Sequence, residues 1–179
     1  WDYAHCLPYF KRMETCLAGA DDWRGGQGPL ILERGPATNP LFEAFFTAAE
    51  QAGYHRTADV NGYRQEGFAR FDRNINNGRR WSAARAYLHP VMDRPNLHVR
   101  TLAFTTRILF EGTRAVGVEY TSGRTRHTVH AGEVILAGGA INSPQLLQVS
   151  GVGPADELRA LGITPVADVR GVGEHLQDH

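Results

Sequence analysis

Residues 134–153 read VILAGGAINSPQLLQVSGVG, and the fold turns on how this stretch is read. Residues 134–137 are apolar on both faces, the pattern of a short strand buried in a parallel sheet. Gly138-Gly139-Ala140 follows. Asn142 and Ser143 then read as a helix cap and Pro144 as the first helical position, with Leu146, Leu147 and Val149 carrying the helix onward. A buried strand ending in glycines lets a ligand approach the backbone, and the next helix N-terminus offers unpaired N–H groups to an anion. The phosphates or ribose of a nucleotide cofactor would fit such a place; tight strand-to-helix packing with no ligand would use the same residues. The dinucleotide fingerprint G-x-G-x-x-G is absent. Neither Gly151-Val152-Gly153 nor Gly171-Val172-Gly173 completes it, and the first follows a helix where the fingerprint requires a strand.

Upstream of this stretch, residues 97–104, 106–110, 115–121 and 124–131 alternate or run apolar, with Gly112 and Ser122-Gly123 as tight turns between the last three. They predict an antiparallel meander feeding the 134–137 strand. Downstream, a helix over 154–161 carries Asp156 and Glu157 early and Arg159 late, matching the helix dipole; Gly162 ends it and 163–169 reads as a last strand. The first half has another texture. Residues 2–16 read as mostly helical, 21–29 as a loop, and 74–80 as a turn. Asn39 caps a helix that Pro40 opens and Gly53 closes, with Leu41, Phe42, Phe45, Ala48 and Ala49 as its core stripe. A short helix over 82–88 stops at Pro90. The pattern is α/β with α+β elements, changing character near residue 95.

The chain has 179 residues, enough to bury a sizeable core, and its 19 basic residues balance 19 acidic ones. A neutral chain has no electrostatic footprint for nucleic acid or an anionic membrane surface. No apolar run approaches the ~18 residues of a transmembrane helix. The chain starts at Trp1 and stops at His179 without a leader or a polar tail, so it is expected to be an interior piece of a longer protein. Cys6 and Cys16, ten residues apart on an expected helix, lie beyond disulfide reach; free thiols suit a reducing compartment. No metal site is expected. His127 and His130 would point to opposite faces of a strand, and His175 with His179 lacks a clear third ligand. No G-x-S-x-G supports a serine hydrolase.

Residues 139–153, GAINSPQLLQVSGVG, resemble the second signature of the glucose–methanol–choline (GMC) flavoprotein oxidoreductases: Gly139-Ala140, Ser143-Pro144, Leu146-Leu147 and Ser150-Gly151-Val152-Gly153 all stand where it wants them. The likeness runs through the whole chain, from WDYAHCLPYFKRMET (1–15) through GRRWSAARAYLHP (78–90), RPNLHVRTLAF (94–104) and GTRAVGVEY (112–120) to GVGEHLQDH (171–179). NPLFEAFFTAAEQAGY (39–54) and DVNGYRQEGF (59–68) are most similar to the family's choline-oxidising members.

The resemblance implies part of a Rossmann-like FAD-binding domain with an antiparallel β-meander, over residues 96–179. Residues 1–95 would be mainly substrate-domain and connecting segments. It implies FAD as cofactor, with Thr105 meeting the adenine end through its backbone, and with Ala137, Gly138 and Gly139 lining the same end; Leu136 and Ser143 are secondary candidates. The implied activity is oxidation of a primary alcohol, choline to betaine aldehyde, by hydride transfer to flavin. A non-choline alcohol, or a non-catalytic β-rich interaction module, are the alternatives. No catalytic residue is expected in this chain, because the family's G-x-G-x-x-G and catalytic histidine lie outside the matching region; the chain alone should neither turn over an alcohol nor hold FAD firmly. Oxygen and a respiratory chain both stay open as electron acceptor. The implied location is cytoplasmic, with peripheral attachment at the inner membrane as the variant for a full-length protein. For choline's trimethylammonium, Trp23, Tyr63, Phe68, Phe71 and Trp81 with Glu66 are available as an aromatic box, although core or loop packing is the stronger reading of each, because spacing alone cannot place them around one cavity.

Overall fold

Asp2 begins the first helix in the computed structural model, which describes residues 1–178. Its carboxylate accepts from the His5 N–H at 2.9 Å, and α1 runs Tyr3–Met13 with Lys11 and Arg12 in its last turn. The helix expected to reach residue 16 therefore ends early. Cys16 donates its N–H to the Gly25 carbonyl, and the Glu14 carbonyl accepts from Gly28, so the glycine-rich loop captures these groups and Glu14–Cys16 becomes strand β1. Strand β1 pairs parallel with β2 (Leu30–Arg34), which pairs antiparallel with β3 (Asp72–Arg73). Both cysteines are free thiols, one on α1 and one on β1.

Asn39 and Pro40 open α2 (Pro40–Gln51) as the sequence indicates: the Asn39 side chain accepts from the Leu41 N–H at 3.0 Å. The core stripe is turned from its expected position. Phe46 and Ala49 are buried, whereas Leu41, Phe42 and Phe45 are exposed. The apolar arc of this helix is wider than the face it packs, and Phe46, under the Arg56 guanidinium 4.9 Å from its ring centroid, defines the packed side. The 74–80 turn is a hairpin, β4 (Ile75–Asn76) with β5 (Arg79–Arg80). Asn77 and Gly78 both take positive φ at its tip, the two-residue turn that Asn-Gly favours. Residues Ala84–Leu88 coil as one wide turn closed by the His89 N–H on the Ala84 carbonyl, and a tighter turn, His89–Val91, carries Pro90.

The chain divides into two compact units, Trp1–Val99 and Arg100–His179. In the second, β6 (Phe104–Glu111), β7 (Arg114–Ser122) and β8 (Thr125–His130) form the antiparallel meander in the order β6-β7-β8, turning at Gly112 and Gly123. The fourth strand expected over 97–104 does not form, since Leu102 takes a left-handed φ of +54° that breaks an extended run. The 134–137 segment is also corrected. It is not in a strand, its backbone makes no hydrogen bond among the described residues, and Ile135 is 81% exposed. A strand exists only through its ladder partner, and none of the described residues supplies one.

Helix α3 spans Gly139–Val149, starting earlier than Asn142 and carrying Pro144 inside it. The Ser143 hydroxyl accepts from the Gly138 N–H at 3.0 Å, and Gly139 at φ +87° starts the coil before the proline. Strand β9 (Val152–Gly153) then leads through α4 (Ala155–Ala160) to β10 (Ala167–Asp168), parallel to β9, so the strand expected over 163–169 shortens to two residues. The Asp168 carboxylate accepts from the Ala155 N–H at 3.1 Å, closing the start of α4. No helix among the described residues is long and apolar enough to cross a membrane.

Candidate functional site

The meander and α3 leave a groove of about 670 Å³ between them, within the size range of small-molecule sites. One wall is the chain at 103–106, entering β6; the other is 134–138 with the first turns and inner face of α3. The groove brings together candidate residues from three places in sequence: Thr105, Leu136, Ala137, Gly138 and Ser143 all line it. Gly139 stands just beyond, at the first position of α3, and is not among the lining residues.

Thr105 is set by an irregularity in the sheet. The register of β6 against β7 shifts between Thr105 and Arg107, so Thr106 is the extra residue of a bulge. The Thr106 hydroxyl donates to the Glu119 carboxylate at 2.8 Å, holding the bulge to β7. At Gly138 space is tight. A first side-chain carbon there would stand 3.3 Å from the Asn142 Cβ and 3.3 Å from the Ser143 oxygen. A glycine at this point keeps the groove open to close approach of a ligand along the backbone. The groove carries more apolar than polar surface and gathers no cluster of ionisable groups, which suits a flat heteroaromatic group and a sugar better than acid–base chemistry.

The remainder of the signature has a packing role. Gly151, at φ +95°, lies where a Cβ would be 2.7 Å from the Thr164 carbonyl oxygen. Ser150 is buried and bonded twice: it accepts from the Ile108 N–H at 2.9 Å and donates to the Leu146 carbonyl at 2.5 Å. The sequence marks Ser150 only as a signature position, without this role, and does not single out Thr106 or Glu119. The signal for Ser150 was its apolar flanks; for the other two, only the register of β6 on β7 reveals the pair.

The aromatic residues considered for a cation do not share one cavity. Trp23 and Tyr63 pair at 5.5 Å between centroids, with Tyr3 6.3 Å from Trp23. Phe68 instead packs edge-on against Phe45 and Tyr54, and Trp81 donates to the Pro29 carbonyl. Phe71 and Glu66 are exposed.

The densest charge cluster lies in the first unit, around Arg24, which is 2% exposed. Its guanidinium donates to Glu14 at 2.8 Å, Asp59 at 2.5 Å and Asp72 at 2.8 Å. Arg34 donates to Asp72 at 2.5 Å and lies 3.1 Å from Asp59. Burial pushes the Arg24 pKa down, but hydrogen bonds and charge from Glu14, Asp72 and Asp59 outweigh it and hold the group above its ordinary value. Cys16, Asp59 and Asp72 are close enough to share a metal ion. Both carboxylates already accept from guanidinium groups, whose positive charge opposes a cation there, so the donor set fits an ion-pair network. His127 stacks on Tyr120 at 5.0 Å; His179 lies outside the described residues, so its pairing with His175 has no structural description.

Comparison with known proteins places this architecture. The family model described as GMC oxidoreductase matches residues 1–179. An oxygen-dependent choline dehydrogenase of Staphylococcus saprophyticus is 59% identical across all of this chain and 32% of its own length, and one from Staphylococcus aureus is 57% identical over the same shares. The chain thus spans about a third of the length of these curated relatives. Pyridoxine 4-oxidase from Mesorbium loti superposes with a TM-score of 0.88 at 32% identity, over 95% of this chain and 34% of that one. Formate oxidase does so with a TM-score of 0.88 at 24% identity, over 100% and 33%, a likeness of fold alone.

Proposed function

From the premise that this chain belongs to the GMC oxidoreductase family, we propose that it supplies the adenine side of the FAD site in an FAD-dependent choline dehydrogenase. The observation that carries this reading is the groove. It gathers Thr105, Ala137 and Gly138 beside a backbone run, 134–137, whose N–H and C=O groups have no partner among the described residues. Such groups favour a hydrogen-bonding ligand or neighbour over solvent-excluded apolar contact. Under this reading Thr105 and Ala137 flank the adenine through backbone contacts, while Gly138 lets the ribose approach closely. Residues 96–179 are assigned to the FAD-binding part and 1–95 to substrate-domain and connecting segments; the break between compact units after Val99 supports that division. Gly139 is retained as a second-line contact at the start of α3.

When bound, FAD would accept the hydride from the alcohol carbon as the hydroxyl proton leaves, converting choline to betaine aldehyde. This chain's residues would bind and orient the cofactor; no group in the groove is placed to take that proton. The 59% identity with a protein named as an oxygen-dependent choline dehydrogenase supports both the choline substrate and oxygen as acceptor. Free Cys6 and Cys16 support a reducing, cytoplasmic setting.

The test compares choline with 3,3-dimethyl-1-butanol, its uncharged isostere, on the full-length flavoprotein. Choline is expected to have the higher kcat/KM by about tenfold, the scale of a desolvated cation–aromatic contact. A preference for the uncharged alcohol would overturn the choline assignment while leaving the flavin reading intact.

A further inference from the structure

We propose that Ser150 is a positioning residue that fixes the width of the nucleotide groove by riveting α3 to the free edge of the meander. Strand β6 pairs with β7 on one side only, so the Ile108 N–H faces outward from the sheet. That donor is buried, since Ile108 is 3% exposed, and a buried unpaired N–H is costly. Ser150 satisfies it at 2.9 Å, and its hydroxyl proton goes to the Leu146 carbonyl, one turn back in α3. One oxygen atom therefore binds the strand and the helix together.

The position of this joint matters. Residues 103–106, which form one wall, lie just upstream of Ile108 on the same segment. Leu146 and Val149, on the other wall, immediately precede Ser150. Apolar contact alone would let α3 slide along β6, whereas a directional bond sets one register. The Thr106–Glu119 bond fixes the same strand to β7, so the first wall is held from both edges of β6. Alanine at 150 would leave the Ile108 N–H without a partner and free α3 to shift. The wall spacing, and with it the fit to a planar ring, would change without removing any groove-lining residue.

This inference rests on the reading of the groove as the adenine side of the FAD site, and the test separates the two. Full-length apoprotein is titrated calorimetrically with ADP and with FAD. In the wild type, ADP should compete with FAD; if it does not, the nucleotide reading falls and the inference with it. Given competition, Ser150→Ala should weaken ADP and FAD by the same factor, about tenfold, the scale of one buried donor left unpaired. A purely structural loss would instead leave irreversibly misfolded protein, lowering the calorimetric stoichiometry with both dissociation constants unchanged, and that outcome overturns the proposal. Should Ser150→Ala fail to fold, Ser150→Cys makes the same joint with longer, weaker bonds and should weaken ADP about threefold. An unchanged ADP affinity in that variant overturns the proposal equally.

Discussion

Replacing Arg24 with methionine should lower the stability of the chain by about 3–5 kcal/mol at pH 7, the range for removing one partner of a buried ion pair. The loss follows from what remains. Glu14, Asp59 and Asp72 converge on the Arg24 guanidinium, and only Arg34 would be left to face the two aspartates. The partners come from β1, the 59–62 loop and β3, so one substitution releases three segments of the first unit. Burial raises the Asp72 pKa, but hydrogen bonds from Arg34 and Arg24 and their charges outweigh it, so the group titrates below the usual carboxylate range. Its contribution is complete above about pH 4 and is lost only as pH falls through the lowered value, so a pH 7 measurement captures all of it. The Arg24 pKa is raised, so its contribution fades only on the far alkaline side. Urea unfolding followed by tryptophan fluorescence gives the number. A loss below about 1 kcal/mol, the scale of an exposed pair, would show that the network is solvated. Adding Asp59→Asn and Asp72→Asn to Arg24→Met should recover part of the loss, because the uncompensated charge is then gone.

Gly151→Ala should strongly destabilise the second unit. Gly151 sits at φ +95°, and its added Cβ would meet the Thr164 carbonyl oxygen at 2.7 Å and the Val166 Cγ2 at 2.9 Å. The Gly151 carbonyl accepts from both Val166 and Ala167, so the clash falls on the bonds that align β9 with β10. Left-handed strain of roughly 1–2 kcal/mol adds to roughly 1–3 kcal/mol of overpacking, for a loss of about 2–5 kcal/mol. Gly162→Ala is the control. It also has positive φ, at +75°, but nothing lies within 4 Å of its would-be Cβ, so it should cost only the strain. Equal losses from the two, measured by urea denaturation, would show that the close approach at Gly151 relaxes freely.

These two sites mark opposite limits of what the sequence reveals. The SGVG run is legible as a pattern, yet Gly151 serves contact with 164–166, Gly153 contact with Gln148 and Leu158, and its serine a strand forty-two residues away. Arg24 is illegible. It reads as one polar residue in a glycine-rich loop, and its partners lie 10, 35 and 48 residues distant. Local chemistry read correctly where a single turn decides at Asn39 before Pro40 and at Gly112 and Gly123 between strands. It failed where a partner decides. Residues 134–137 have strand composition without a neighbour to pair with among the described residues, and α2 has more apolar surface than its unit covers, so Phe46 rather than Leu41 faces inward. Of the groove lining, Thr105, Ala137 and Gly138 are indicated by resemblance alone. The bulge at Thr106 that aims the first of them depends on β6–β7 register, which no local window contains.

The most direct test of the central claim is photolabelling of the full-length flavoprotein with FAD carrying an azide on its adenine ring, followed by peptide mapping. The groove assignment predicts label concentrated in residues 103–106 and 134–146, and its loss when unmodified FAD or ADP is present in excess. Competable label confined to other segments, with these two stretches unmodified, would contradict the placement of the adenine in this groove.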